Sequence, residues 1–161
     1  MYNVLRLAEQ FEIDTFKFFT SKKNEVKSKT VAELFDYLAQ MEEEHIELIR
    51  RLIKSLEEGA RIDSLPEQDK KHYKSRYEGQ KTSETSPEDV VADLSILRMA
   101  YLIEKYFMEF YEKAANSEKD ERVKKLFLVL RDWEKGHARI IENEIKSLLE
   151  RNNLELGFYP F

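Results

Sequence analysis

The chain repeats itself at an offset of 92 residues, and each half of the repeat carries a Glu-x-x-His pair. Met41-Glu42-Glu43-Glu44-His45 is answered by Trp133-Glu134-Lys135-Gly136-His137. The chain has 3 His, and two of them occupy this repeated position. The same offset relates Leu5 to Leu97, Ala8 to Ala100, Phe18 to Phe110, Leu34 to Leu126, Leu38 to Leu130 and Ile49 to Ile141. It also relates Glu12 to Glu104, each 30 residues ahead of its Glu-x-x-His. A unit used twice must fold twice in the same way, so the repeat implies a duplicated architecture and a duplicated function.

The spacing inside each pair is helical. Three residues turn an α-helix by about 300° and raise it about 4.5 Å, so Glu42 and His45 point the same way one turn apart. A carboxylate and an imidazole on one stripe can bind one divalent ion together. Alone, such a pair is more often a solvated charge pair; the twin changes that. Composition agrees with helices. Hydrophobic residues make up 42% and charged residues 37%, with only 4 Gly and 3 Pro, as in a helical bundle.

Other classes are disfavoured. A net charge of −5 argues against nucleic acid as the main partner. No apolar run reaches the length of a membrane span, and no basic segment followed by an apolar one reads as a signal peptide. The chain has 0 Cys, which removes disulfides and thiolate metal sites and leaves the cytoplasm as the expected compartment.

The 161 residues suit one domain. Four helices are expected, at about residues 2–22, 30–58, 87–115 and 120–151. Thr30-Val31-Ala32-Glu33 reads as a capping box that starts the second helix, and Gly59 suits the position after its end. Ser86-Pro87-Glu88-Asp89 combines an N-cap, a proline at the first position and acidic residues in the first turn. Residues 59–86 read as a long crossover, with a short helix near Glu67–Tyr77, and residues 152–161 as a tail. Two short connections and one long one predict an all-α four-helix bundle: two helical hairpins related by a pseudo-twofold axis.

Each helix carries an apolar stripe interrupted near its middle by Glu. The first stripe takes Tyr2, Leu5, Glu12, Phe16 and Phe19, with Glu9 in register. The third takes Leu97, Tyr101, Glu104, Met108 and Tyr111. Bare carboxylates on such stripes are costly, and four together are worse. A metal pair resolves the conflict: Glu12, Glu42, Glu104 and Glu134 bring four negative charges, and two divalent ions balance them. Neutral His45 and His137 complete the set. Oxygen and imidazole donors suit iron or manganese.

One Glu from each of two helices, with Glu-x-x-His from each of the other two, resembles the ligand pattern of ferritin-like dinuclear-iron proteins. Within that group the chain resembles the rubrerythrin-like proteins, through the string from Ala100 to Tyr111 around Glu104 and through Glu134-Lys-Gly-His137. The resemblance covers both halves but neither crossover nor tail. It implies a ferritin-like bundle with two iron ions, or manganese in their place. It implies Glu42 and Glu134 as bridges, Glu12 and Glu104 as terminal ligands, and one His on each metal. It implies reduction of hydrogen peroxide or dioxygen by ferrous iron. Two departures bear on the transfer. Rubrerythrins proper carry a further ligand Glu three residues after the third-helix Glu, where this chain has Phe107. They also carry a Cys-rich iron domain, so here the electron donor must be a separate protein. The expected assembly is a homodimer. Rival readings are a ferroxidase or iron-storage subunit of a ferritin or bacterioferritin-like cage, and a non-enzymatic metal-stabilised interaction protein.

Glu9 and Tyr101 lie one turn before Glu12 and Glu104. They read either as groups that orient the ligands or move protons, or as side chains with their polar tips in water. Gly136 makes room either for close packing or for oxygen. His72 reads as a surface residue. Tyr37, Tyr106 and Trp133 read as core or interface aromatics.

Overall fold

The computed structural model describes residues 2–59 and 86–152. These form α1 (Tyr2–Lys22), α2 (Lys29–Glu57), α3 (Pro87–Ser117) and α4 (Glu121–Arg151), and no strand occurs among the described residues. The four expected helices are present, with ends that differ by at most two residues. The expected short helix near Glu67–Tyr77, His72, and the tail from 153 lie outside the described residues.

Local chemistry accounts for most of the helix ends. Ser86 Oγ accepts the Asp89 N–H at 3.2 Å, and Pro87 opens α3. Asp120 caps α4 by accepting the Arg122 N–H at 2.9 Å. After α2, the Glu58 N–H donates to Lys54 O and Gly59 takes a φ of 63°, the left-handed backbone that closes a helix.

The start of α2 departs from the expected capping box. The helix begins at Lys29, with extended Ser28 as its N-cap and no side-chain cap bond. Thr30 lies inside the first turn. Its hydroxyl is 2.8 Å from Ser28 Oγ and donates to Glu144 Oε1 on α4, also at 2.8 Å. Arg151 Nη2 donates to the same carboxylate oxygen at 2.6 Å. Thr30 therefore ties two helices together. Asp93 of α3 organises the turn before α2, accepting the backbone N–H groups of Lys27 and Ser28 at 2.9 and 2.7 Å.

The inner stripes also need a correction. In α1 the buried set is Leu5, Ala8, Glu12, Thr15 and Phe19, while Tyr2 is exposed and Glu9 and Phe16 are half-buried. In α3 it includes Leu97, Ala100, Glu104, Phe107 and Tyr111, while Tyr101 and Met108 are half-buried. Steps of three then four, and of four then three, pass through the same Leu, Glu and aromatic positions. The position of the neighbouring helix decides between them, and it selects the small Ala8 and Ala100.

The α1–α2 and α3–α4 hairpins are each closely packed, and the hairpins meet more loosely. The core is two apolar layers. One includes Phe19, Val31, Leu34, Phe35, Leu38, Leu97, Ala100, Ile141 and Ile145. The other includes Leu5, Ala8, Ile49, Ile53, Tyr111, Val123, Leu126, Phe127 and Leu130. The 92-residue offset carries many residues of one layer into the other, among them Phe19 to Tyr111, Leu34 to Leu126, and Leu5 to Leu97. The pseudo-twofold axis thus crosses the bundle between them, where the four seam Glu lie. The N-termini of α2 and α3 share one layer, so these helices run parallel and the chain between them connects opposite ends.

Asp93 offers a test of the turn it organises. Asp93→Ala leaves two backbone N–H groups without their acceptor, at a cost of about 1–3 kcal/mol. Denaturant unfolding should show this loss, with metal stoichiometry unchanged because the turn lies at one end of the bundle. A change under 0.5 kcal/mol, on the order of an ordinary surface substitution, would show that the turn holds without Asp93.

Candidate metal centre

Each helix contributes one carboxylate to the layer between the two cores. Glu12, Glu42, Glu104 and Glu134 are all fully buried, and His45 and His137 nearly so. The helical spacing delivers each His beside its own Glu. His45 Nδ1 lies 3.0 Å from Glu42 Oε2, and His137 Nδ1 lies 3.5 Å from Glu134 Oε2.

The contacts across the bundle define two halves. His45 Nδ1 also lies 3.1 Å from Glu12 Oε2 and 3.3 Å from Glu134 Oε1. His137 Nδ1 lies 3.1 Å from Glu42 Oε1 and 3.6 Å from Glu104 Oε2. Glu42 and Glu134 thus each turn one oxygen to one His and the other oxygen to the second His. The two imidazole rings are parallel, with centroids 5.1 Å apart and planes 6° from each other. Donor atoms of Glu42, His45, Glu134 and His137 all lie within 4.8 Å of one another.

The donor set suits a cation. Both oxygens of Glu42, Glu104 and Glu134, and Nδ1 of His137, are buried without a hydrogen-bond partner. Buried polar atoms are rarely left so. Here they approach one another closely but without hydrogen-bond direction, as ligands facing a shared centre do.

Glu12 is the exception, because the buried Tyr111 hydroxyl donates to its Oε1. Tyr111 lies on the third stripe read from sequence, but nothing in that stripe pointed to Glu12. The partnership crosses from α3 to α1, and single-helix register does not reveal it. One signal was legible: Tyr111 answers to Phe19 in the repeat, an aromatic pair that differs only by a hydroxyl. Trp133 stacks on His45 at 4.6 Å and 17°, so this aromatic packs directly on an imidazole of the cluster. The Glu9 carboxylate is held by Arg6 at 2.9 Å and Arg50 at 2.7 Å. Tyr101 packs beside the layer that contains Phe19. Phe107 stacks on Phe11 with centroids 4.9 Å apart, which places an aromatic wall where rubrerythrins proper carry a carboxylate. A Cβ at Gly136 would meet no heavy atom within 4 Å, so close packing does not require this glycine.

Proton affinities in the cluster split. Burial raises Glu12 well above the usual carboxylate range, and the charges of Glu134 and Glu42 add to it. Burial, then the Glu134 charge, does the same to Glu104. Burial also acts to raise Glu42 and Glu134; the imidazoles outweigh it at Glu42, and the adjacent Glu104 carboxyl followed by the imidazoles outweighs it at Glu134, so both end below the usual range. Burial acts to lower His45 and His137. The Glu42 charge and adjacent carboxylates overcome it for His45, and Glu104, Glu134 and Glu42 do so for His137. Without metal, burial and the neighbouring charges thus favour the protonated forms of Glu12, Glu104 and the two imidazoles, and the ionised forms of Glu42 and Glu134.

Fold and site together define a ferritin-like four-helix protein with a buried carboxylate–histidine cluster compatible with a metal site. The family model for rubrerythrin matches residues 3–145, and the chain belongs to that family. A solved structure, a hypothetical protein from Pyrococcus furiosus, is 26% identical, with a TM-score of 0.67 over 92% of this chain and 90% of that one. No curated protein matches the chain. No helix among the described residues is long and apolar enough to cross a membrane.

Stability of the metal-free protein should fall with rising pH. Glu12, Glu104, His45 and His137 hold protons more tightly when folded. Their contribution is complete below the unfolded values, 4.5 for Glu and 6.5 for His, and is lost as pH rises through the folded values. Glu42 and Glu134 act oppositely, losing their contribution as pH falls below 4.5. The melting temperature in chelator should therefore drop as pH rises above the unfolded His value of 6.5. A flat or rising profile over that window would contradict the proton inventory.

Proposed function

We propose that the chain is a dinuclear-iron oxidoreductase that reduces hydrogen peroxide or dioxygen. The observation that supports this most is the pair of shared carboxylates. Glu42 and Glu134 each address both halves of the cluster, as bridging ligands do. Glu12 and His45 would complete one metal, Glu104 and His137 the other. Oxygen and imidazole donors suit iron, and manganese fits the same set. Two ferrous ions would supply the two electrons that the oxidant accepts.

The chain's own residues do the rest. Tyr111 fixes the Glu12 carboxylate, and Trp133 fixes the plane of His45. The apolar layers on either side keep bulk water from the centre. Reduction of peroxide to two waters consumes two protons, and these must come from outside the six metal-holding side chains, which bind metal in their deprotonated forms. With 0 Cys, the chain carries no thiolate-ligated iron module of its own, so a separate electron-donor protein belongs to this reading. So do a cytoplasmic location and a homodimer, the latter supported by exposed Met99, Leu102 and Tyr106 on α3.

Anaerobic titration with ferrous iron should load two ions per chain. Stopped-flow mixing with peroxide should then oxidise both, consuming one peroxide per chain. Fast reaction with dioxygen alone in a cage-sized particle would favour iron storage. Inertness to both oxidants would favour a purely structural metal.

Glu104→Leu should act in opposite directions with and without metal. In the metal-free protein it removes a carboxyl with no hydrogen-bond partner for either oxygen and substitutes an apolar group of similar volume. A buried polar group without a hydrogen bond costs about 1–3 kcal/mol, so the variant should melt higher than wild type in chelator. With ferrous iron the order should reverse, because the variant lacks a ligand and ion binding adds to wild-type stability. Equal destabilisation in both conditions would assign Glu104 a structural partner instead of a metal.

A further inference from the structure

The two halves of the repeat do not build equal halves of the centre. Ligands match across the 92-residue offset, but the residues behind them do not. Tyr111 answers to Phe19, and Trp133 answers to Met41. The Tyr111 hydroxyl donates to Glu12. Phe19, buried in the opposite layer, has no hydroxyl to offer Glu104, and both Glu104 oxygens are without a hydrogen-bond partner. Trp133 stacks on His45, which also stacks with the His137 ring. The residue matching Trp133 is Met41, which has no ring to stack. His137 is also the more exposed imidazole, 8% against 3% for the His45 side chain.

Both departures from the repeat fall on the same half. A group that orients a metal ligand typically accounts for about 10–100-fold in affinity. A preformed site also loses less freedom when it binds. Resting on the dinuclear reading, we infer that the Glu12–His45 half is a preorganised site that takes the first ion and holds it. The Glu104–His137 half takes the second ion weakly and exchanges it. Tyr111 is the positioning residue that sets this order.

Two-step binding alone does not test this, since two cations so close repel and would bind in steps at equal sites as well. The test is which step responds. Anaerobic cobalt(II) titrations of the full chain, followed by calorimetry and visible absorption, should be run on wild type, Tyr111→Phe and Phe19→Tyr. Tyr111→Phe removes one hydroxyl and keeps the volume. It should weaken the tighter step about 10–100-fold and leave the weaker one unchanged. The slow phase of cobalt release to chelator should accelerate with it. Phe19→Tyr should tighten the weaker step, if the added hydroxyl is accommodated as it is at Tyr111. Should that variant overpack, Tyr111→Phe decides alone. Loss confined to the weaker step, equal loss in both, or no loss would overturn the inequality while leaving a dinuclear centre intact. One ion or none on wild type would instead bring down the dinuclear reading itself.

Discussion

Four carboxylates buried in one layer of a helical bundle are the constraint on which the rest of this structure depends. None of the four has measurable exposure, and three have no hydrogen-bond partner for either oxygen. Such a layer is strongly unfavourable as four bare charges. It becomes tolerable in two ways, both of which leave the layer neutral. Without metal, the environment favours protons on Glu12, Glu104 and the two imidazoles, opposite ionised Glu42 and Glu134. With two divalent ions, all six side chains give up their extra protons and the ions balance the carboxylates. The apolar layers above and below must then supply the stability that the polar layer does not.

The duplication explains how those layers can be matched to the site. The pseudo-twofold axis passes through the polar layer, so one half of the sequence places Leu34, Phe35 and Leu38 on one side while the other half places Leu126, Phe127 and Leu130 on the opposite side. Each hairpin brings one Glu, one Glu-x-x-His and half of each core. Neither hairpin can complete either half of the cluster, because each His also faces the shared carboxylate of the other hairpin. Folding of the hairpins against each other and assembly of the site are therefore one event.

Much of this was legible in the sequence because it lies in offsets along single helices and in one long offset between halves. The six clustered residues, the helix ends at Ser86 and Gly59, and the direction of α3 all follow from such intervals. What was not legible depends on side chains meeting across helices. Two alternations of three and four both pass through Leu5, Glu12 and Phe19, and through Leu97, Glu104 and Tyr111. Only the approach of a second helix chooses Ala8 and Ala100 over Glu9 and Tyr101 as the inward residues. The same holds for Thr30, which a local motif assigns to a cap and which the structure commits to Glu144. Tyr111 is the clearest case, since its partner lies on another helix, 99 residues away.

The places where the repeat fails to repeat carry the remaining information. Leu5, Leu34, Phe35, Leu38, Ile49 and Ile53 of the two cores recur at the offset, as do all six residues of the cluster. Phe19 and Tyr111, Met41 and Trp133, and Thr15 and Phe107 do not match, and one member of each pair stands beside the cluster or on its aromatic wall. A duplicated scaffold needs equal cores to pack equally. On the proposed dinuclear reading, a pair of metals that accepts electrons, meets an oxidant and releases product would have no such need for equal surroundings. On that reading, divergence behind identical ligands would change how each half holds an ion without disturbing the charge balance that lets the layer stay buried. The fold constrains the ligands and the cores together; the side chains between them are free to make the two halves different.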